Sequence, residues 1–116
     1  MGDADKGPGL RQLRGFTRVE RLRCVGLVRD AIVGSNGWVT EFHEFSNLSI
    51  CIEFELPAAF LPALAGALAA AEVRLSAESA EMLRGAEGGE RAQCTLQVLF
   101  IHDEPDMRRR VLAVPG

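Results

Sequence analysis

The side chains best suited to chemistry fall in two short clusters. His102, Asp103 and Glu104, beside Pro105 and Asp106, put an imidazole and three carboxylates within five residues. Imidazole and carboxylate are the pair from which general acid–base catalysis is built, so His102, Asp103 and Glu104 are the catalytic candidates. The competing explanation is structural, because Asp and Pro are also ordinary turn formers.

Glu41, His43 and Glu44 form the second cluster. Strand alternation puts Glu41 and His43 on one face and Glu44 on the other. A metal needs a third ligand, which His102 supplies if the two clusters meet. Glu41, His43 and His102 would suit zinc or another first-row transition ion, although their spacing matches no established metal motif. A solvated strand face is the alternative.

Other chemistries lack their residues. There is no G-x-S-x-G, no tyrosine, and no Walker lysine in the glycine-rich stretch 85–89, which Glu87 and Glu90 flank. Cys24, Cys51 and Cys94 are far apart and sit in apolar or alternating stretches, as small core hydrophobes do. No cofactor is expected.

The elements that must position these clusters follow from periodicity. Residues 1–15 are glycine-rich and polar, which predicts a disordered tail ahead of one α+β domain spanning 16–116. Thr17 and Glu20 have capping-box spacing and predict a helix that ends at Gly34, Asn36 and Gly37. From Trp38 the period becomes two, with Trp38, Thr40 and Phe42 alternating against Val39, Glu41 and His43. After a turn at Ser46 and Asn47, Leu48, Ile50, Ile52, Phe54 and Leu56 point one way. Ser49, Cys51, Glu53 and Glu55 point the other.

Pro62 suits the first turn of a helix, whose apolar stripe is Leu61, Leu64, Ala65, Leu68 and Ala69. Ser76 can cap a further short helix. Cys94, Leu96, Val98 and Phe100 then alternate as a strand, and a last strand is expected over residues 107–114. The expected fold is a four-stranded antiparallel sheet of two hairpins, with two or three helices on one face. At fold level alone this order resembles the ferredoxin-like α/β plait. No motif carries the likeness, and fold does not dictate function.

Leu99 and Ile101 make the outer face of the third strand apolar. A second copy of the chain would cover them, or the first helix or the C-terminal segment would fold across.

Residues 1–30 carry seven basic and four acidic side chains, residues 31–107 three and twelve, and residues 108–116 three and none. If the last strand lies next to the second, arginines of the run Arg108, Arg109 and Arg110 pair with Glu53 and Glu55 across the ladder; a solvated run is the alternative. A pI near 5.4 and the lack of a basic, aromatic-interleaved face argue against nucleic acid as partner. The longest uncharged run, residues 56–71, is shorter than the ~20 residues of a membrane span and contains two prolines. No signal-peptide core precedes the domain.

These features favour a small cytoplasmic binding, regulatory or dimerisation module. Its expected partner is a second copy of itself, with a small-molecule ligand as the other class and no membrane association. The alternative is a small enzyme using His43 and His102.

Overall fold

The computed structural model describes residues 10–46, 48–85 and 90–101. Its strands are β1 (Leu10–Thr17), β2 (Trp38–Ser46), β3 (Ser49–Pro57), β4 (Arg74–Leu75) and β5 (Arg91–Phe100). Its helices are α1 (Arg21–Gly34), α2 (Leu61–Ala70) and α3 (Ala77–Arg84), and a 3-10 turn (Ala58–Phe60) leads into α2. The strands form one sheet in the order β2-β3-β5-β1-β4.

The class is α+β, as expected, but the sheet is five-stranded and mixed rather than four-stranded and antiparallel. β5 runs antiparallel to β3 and parallel to β1, and β1 runs antiparallel to the short β4. The second expected hairpin would need a strand over residues 107–114, which lie outside the described residues. Among the described residues, β1 takes the place beside β5.

β1 begins at Leu10, inside the segment expected to be a tail. Its inward positions are Arg11, Leu13, Gly15 and Thr17, so only Leu13 supplies a large apolar side chain. The strand is held by eight rungs of pairing to β5, from Leu10↔Gln93 to Thr17↔Phe100. Gly15 is required by packing, since a Cβ there would lie 2.9 Å from Val73 Cγ1.

Thr17 does not open a helix. It ends β1, where its hydroxyl accepts the Val19 N–H at 3.0 Å and donates to the Glu72 carbonyl at 2.8 Å. The capping box is therefore not formed, and Glu20 precedes α1 without a side-chain cap. The other end of α1 follows the sequence, with Asn36 at φ 66°. Gly37 lies so close to β3 that a Cβ would meet the Glu55 carbonyl at 2.7 Å.

The helices pack on one face of the sheet. Cys24, Val28 and Ile32 of α1, Leu61, Leu64 and Leu68 of α2, and Leu83 of α3 meet Leu13, Ile50, Ile52, Phe54, Leu56, Leu96 and Val98 in one buried cluster. The Ser76 hydroxyl caps α3 by accepting the Ser79 N–H at 3.1 Å, and the Ser79 hydroxyl in turn accepts the Arg14 N–H of β1 at 2.8 Å. Leu48, expected with the inward set, sits in the β2–β3 turn at 54% exposure. Among the described residues, no helix is long and apolar enough to cross a membrane.

Candidate functional site

Register determines what the outer face presents. Between Val39 and Glu41 the β2–β3 ladder carries a bulge: Val39 pairs with Phe54 and Glu41 with Glu53, which leaves Thr40 as the extra residue. An extra residue reverses the alternation that follows it. Without it Glu41 and His43 would share the inward side with Val39. With it, Trp38, Glu41 and His43 all fall on the outer face, opposite Glu55, Glu53 and Cys51, while Phe42 and Glu44 turn to the side of Ile52 and Ile50. Simple alternation of Trp38, Thr40 and Phe42 is thereby broken, and Thr40 donates from its hydroxyl to the Glu53 carbonyl at 3.0 Å.

The bulge assembles a three-donor group. His43 Nε2 lies 3.2 Å from Glu53 Oε2, and one ligand atom each from Glu41, His43 and Glu53 falls within 4.8 Å of the others. Each of the His43 and Glu53 side chains keeps 42% of its surface exposed. Phe45 stacks nearly parallel to the His43 imidazole, 6.2 Å between centroids. Glu44, as expected, leaves this group and forms an ion pair with Arg21 of α1 on the other side.

Of the expected metal ligands, Glu41 and His43 come together, whereas His102 lies outside the described residues. So do the catalytic candidates His102, Asp103 and Glu104. The third donor in the structure is Glu53, expected instead to pair with arginines 108–110, which also lie outside the described residues. Among the described residues Glu53 pairs with His43. Glu55 faces Arg91 at 3.5 Å and accepts the Gln93 amide at 3.4 Å. The Arg91 guanidinium also covers the Trp38 ring, 5.3 Å from its centroid.

The rest of the outer face reads in rows across the strands. Successive rungs align Trp38, Glu55, Gln93 and Leu10, then Glu41, Glu53, Thr95 and Gln12, then His43, Cys51, Gln97 and Arg14. The next row holds Ser49, Leu99 and Phe16, with Phe45 and Ile101 at the same end of the sheet. Leu99 is 47% and Phe45 63% exposed. Leu99 and Ile101 thus stay exposed, at 47% and 42%, and α1, one of the elements expected to fold across them, lies on the opposite face. Phe16 and Phe45 extend this apolar end. They were hidden in the sequence, one by a strand not recognised and one by the bulges.

The thiols divide between the faces. Burial pushes Cys24 and Cys94 up to about 11, with Arg11 partly opposing the shift at Cys94. Cys51, expected in the core, is half-buried on the outer face. Its pKa is raised by desolvation and then by the Glu53 carboxylate. A thiol raised this way is a poor nucleophile, which weighs against cysteine catalysis.

A cleft of about 450 Å³ opens at the rim, lined by Phe16, Thr17, Arg18, Glu72, Arg74 and Ile101 among others. Its Thr17 hydroxyl donates to the Glu72 backbone carbonyl. No protein-family model, curated protein or solved structure matches the chain.

Proposed function

We propose that the protein is a non-catalytic dimerisation module whose open sheet face receives the same face of a second copy. The observation that carries this is the apolar end of the outer face, where Leu99, Phe45 and Ile101 are exposed and Phe16 partly so. Contiguous exposed apolar surface on a sheet marks an interaction site.

Size and pattern both favour a copy of the same chain. Four long strands spaced ~4.8 Å apart, rising ~3.3 Å per residue over eight residues or more, give a face of roughly 20 by 27 Å. Its accessible surface is of the order of the ~800 Å² per partner that a standard interface buries. A two-fold axis between two such faces, parallel to the strands, keeps each row opposite its own copy while reversing strand order. The apolar end then meets the apolar end. β2, with Glu41 and His43 on its outer face, then comes over β1, which bears Arg14, and β3 comes over β5. A two-fold axis across the strands would reverse the rows, setting the Leu99 and Phe16 row against Trp38, Glu55, Gln93 and Leu10. The strand-parallel arrangement is isologous and closes at two copies, with sheets packed face to face as in aligned sandwiches.

The order β1-α1-β2-β3-α2-β4 supports kinship with the ferredoxin-like plait, with α3 and β5 added so that β5 lies between β3 and β1. Light scattering at micromolar concentration is expected to give twice the chain mass of 12.6 kDa, and Leu99→Arg is expected to give the monomer. A wild-type monomer, or a Leu99→Arg dimer, would sink the proposal.

A further inference from the structure

We infer that Glu41, His43 and Glu53 form a binding site for a divalent first-row transition ion, with zinc the best match. The site does not rest on the dimer, since all three donors come from one β-hairpin.

Donor chemistry and geometry agree. Zinc takes imidazole nitrogen and carboxylate oxygen at about 2.0–2.2 Å, so two donors of one tetrahedral site lie about 3.3 Å apart. His43 Nε2 and Glu53 Oε2 are already 3.2 Å apart. The Glu41 carboxylate, within 4.8 Å of both, closes the set by a side-chain rotation. Three protein donors leave a fourth position for water or an incoming ligand.

Two further features fit an ion better than a surface ion pair. Glu41 and Glu53 face each other on one rung, an arrangement of like charges that destabilises a sheet. Among the described residues no Lys or Arg is paired with either, whereas Glu55, one rung away, has Arg91. A divalent cation cancels that repulsion. Secondly, the group exists only because of the Thr40 bulge, and bulges are a means of re-aiming side chains next to functional sites. Phe45, stacked on the imidazole, helps hold its plane, the positioning that metal-bound histidines ordinarily receive from neighbouring groups.

The test is a zinc titration of the full chain after chelator treatment, by calorimetry or by competition with a chromophoric chelator. One zinc per chain is expected. His43→Ala and Glu53→Gln should each weaken binding at least tenfold while the far-ultraviolet dichroism stays unchanged. Glu41→Gln should weaken it as well, and the monomer-forming Leu99→Arg chain should still bind. Absence of saturable binding, unaltered affinity in both His43→Ala and Glu53→Gln, or loss on His102→Ala with retention in His43→Ala would overturn the site. If a variant unfolds, zinc protection of Cys51 from alkylation in the wild-type chain gives a second readout: Cys51 shares the His43 rung, and an ion that leaves its reaction rate unchanged is not bound there.

Discussion

β3 and β5 show two different surfaces on one pair of strands. On the inner side Ile50, Ile52, Phe54, Leu56, Leu96 and Val98 are all buried under the helices. On the outer side Cys51, Glu53, Glu55, Thr95 and Gln97 are partly exposed and Leu99 is 47% exposed. Neighbouring residues therefore differ in environment while sharing backbone hydrogen bonds. Folding free energy is concentrated on the side whose cover the chain itself provides, which leaves the other side open to selection for binding.

Substitution can break that contrast. Phe54→Ala removes a fully buried ring and is expected to cost about 3–5 kcal/mol, read by urea denaturation. Gln97→Ala, on the outer side of β5, should stay within about 0.5 kcal/mol. Comparable losses at the two positions would show that the outer side is also packed.

The thiols sharpen the contrast with a smaller effect. Cys24 and Cys94 stay protonated in the fold up to about 11, against an ordinary value of 9.0. The unfolded chain loses these protons first, so their contribution is intact below pH 9 and declines as pH rises from about 9 to 11. The melting temperature should fall across that window, less steeply in Cys94→Ala than in wild type. At pH 8 an alkylating reagent should modify Cys51 alone in the native protein and all three thiols in denaturant. If the outer faces pair, Cys51 labelling should slow as protein concentration rises.

The smallest effect is expected from Leu99→Ser measured below the dimer's dissociation range. There the side chain is exposed already, and stability should change by no more than about 0.5 kcal/mol. A loss several times larger would mean that residues of the same chain cover Leu99.

Legibility in the sequence followed burial. β3 was plain because its inward positions are all large and apolar, and β5 because Cys94, Leu96, Val98 and Phe100 repeat every second residue. Ser76 and Pro62 acted locally, as their chemistry dictates. β1 was obscured because Gly15 and Thr17 occupy inward positions where a hydrophobic pattern would look for aliphatics. Glu41 and His43 were recognisable as donors sharing a face, but not their partner Glu53, since a bulge in an edge strand has no signature in hydrophobic period. Thr17 spoke for a cap three residues from Glu20, yet its hydroxyl found Glu72, 55 residues away. Such long-range competition is invisible to local spacing.

The parallel pairing of β1 with β5 has a consequence for how the chain reaches its fold. Leu10 meets Gln93, a separation of 83 residues, and β5 is also the strand that joins β3 to the rest. Until residues 91–100 are synthesised, β1 and the β2–β3 hairpin have no strand between them. At 5–20 residues per second a ribosome takes roughly 4–17 s to cover that interval. Sheet closure thus waits for β5, with high contact order and the slow folding that accompanies it. Meanwhile the aliphatic inner side of β3, with Ile50, Ile52, Phe54 and Leu56, stays open to chaperones and to other nascent chains.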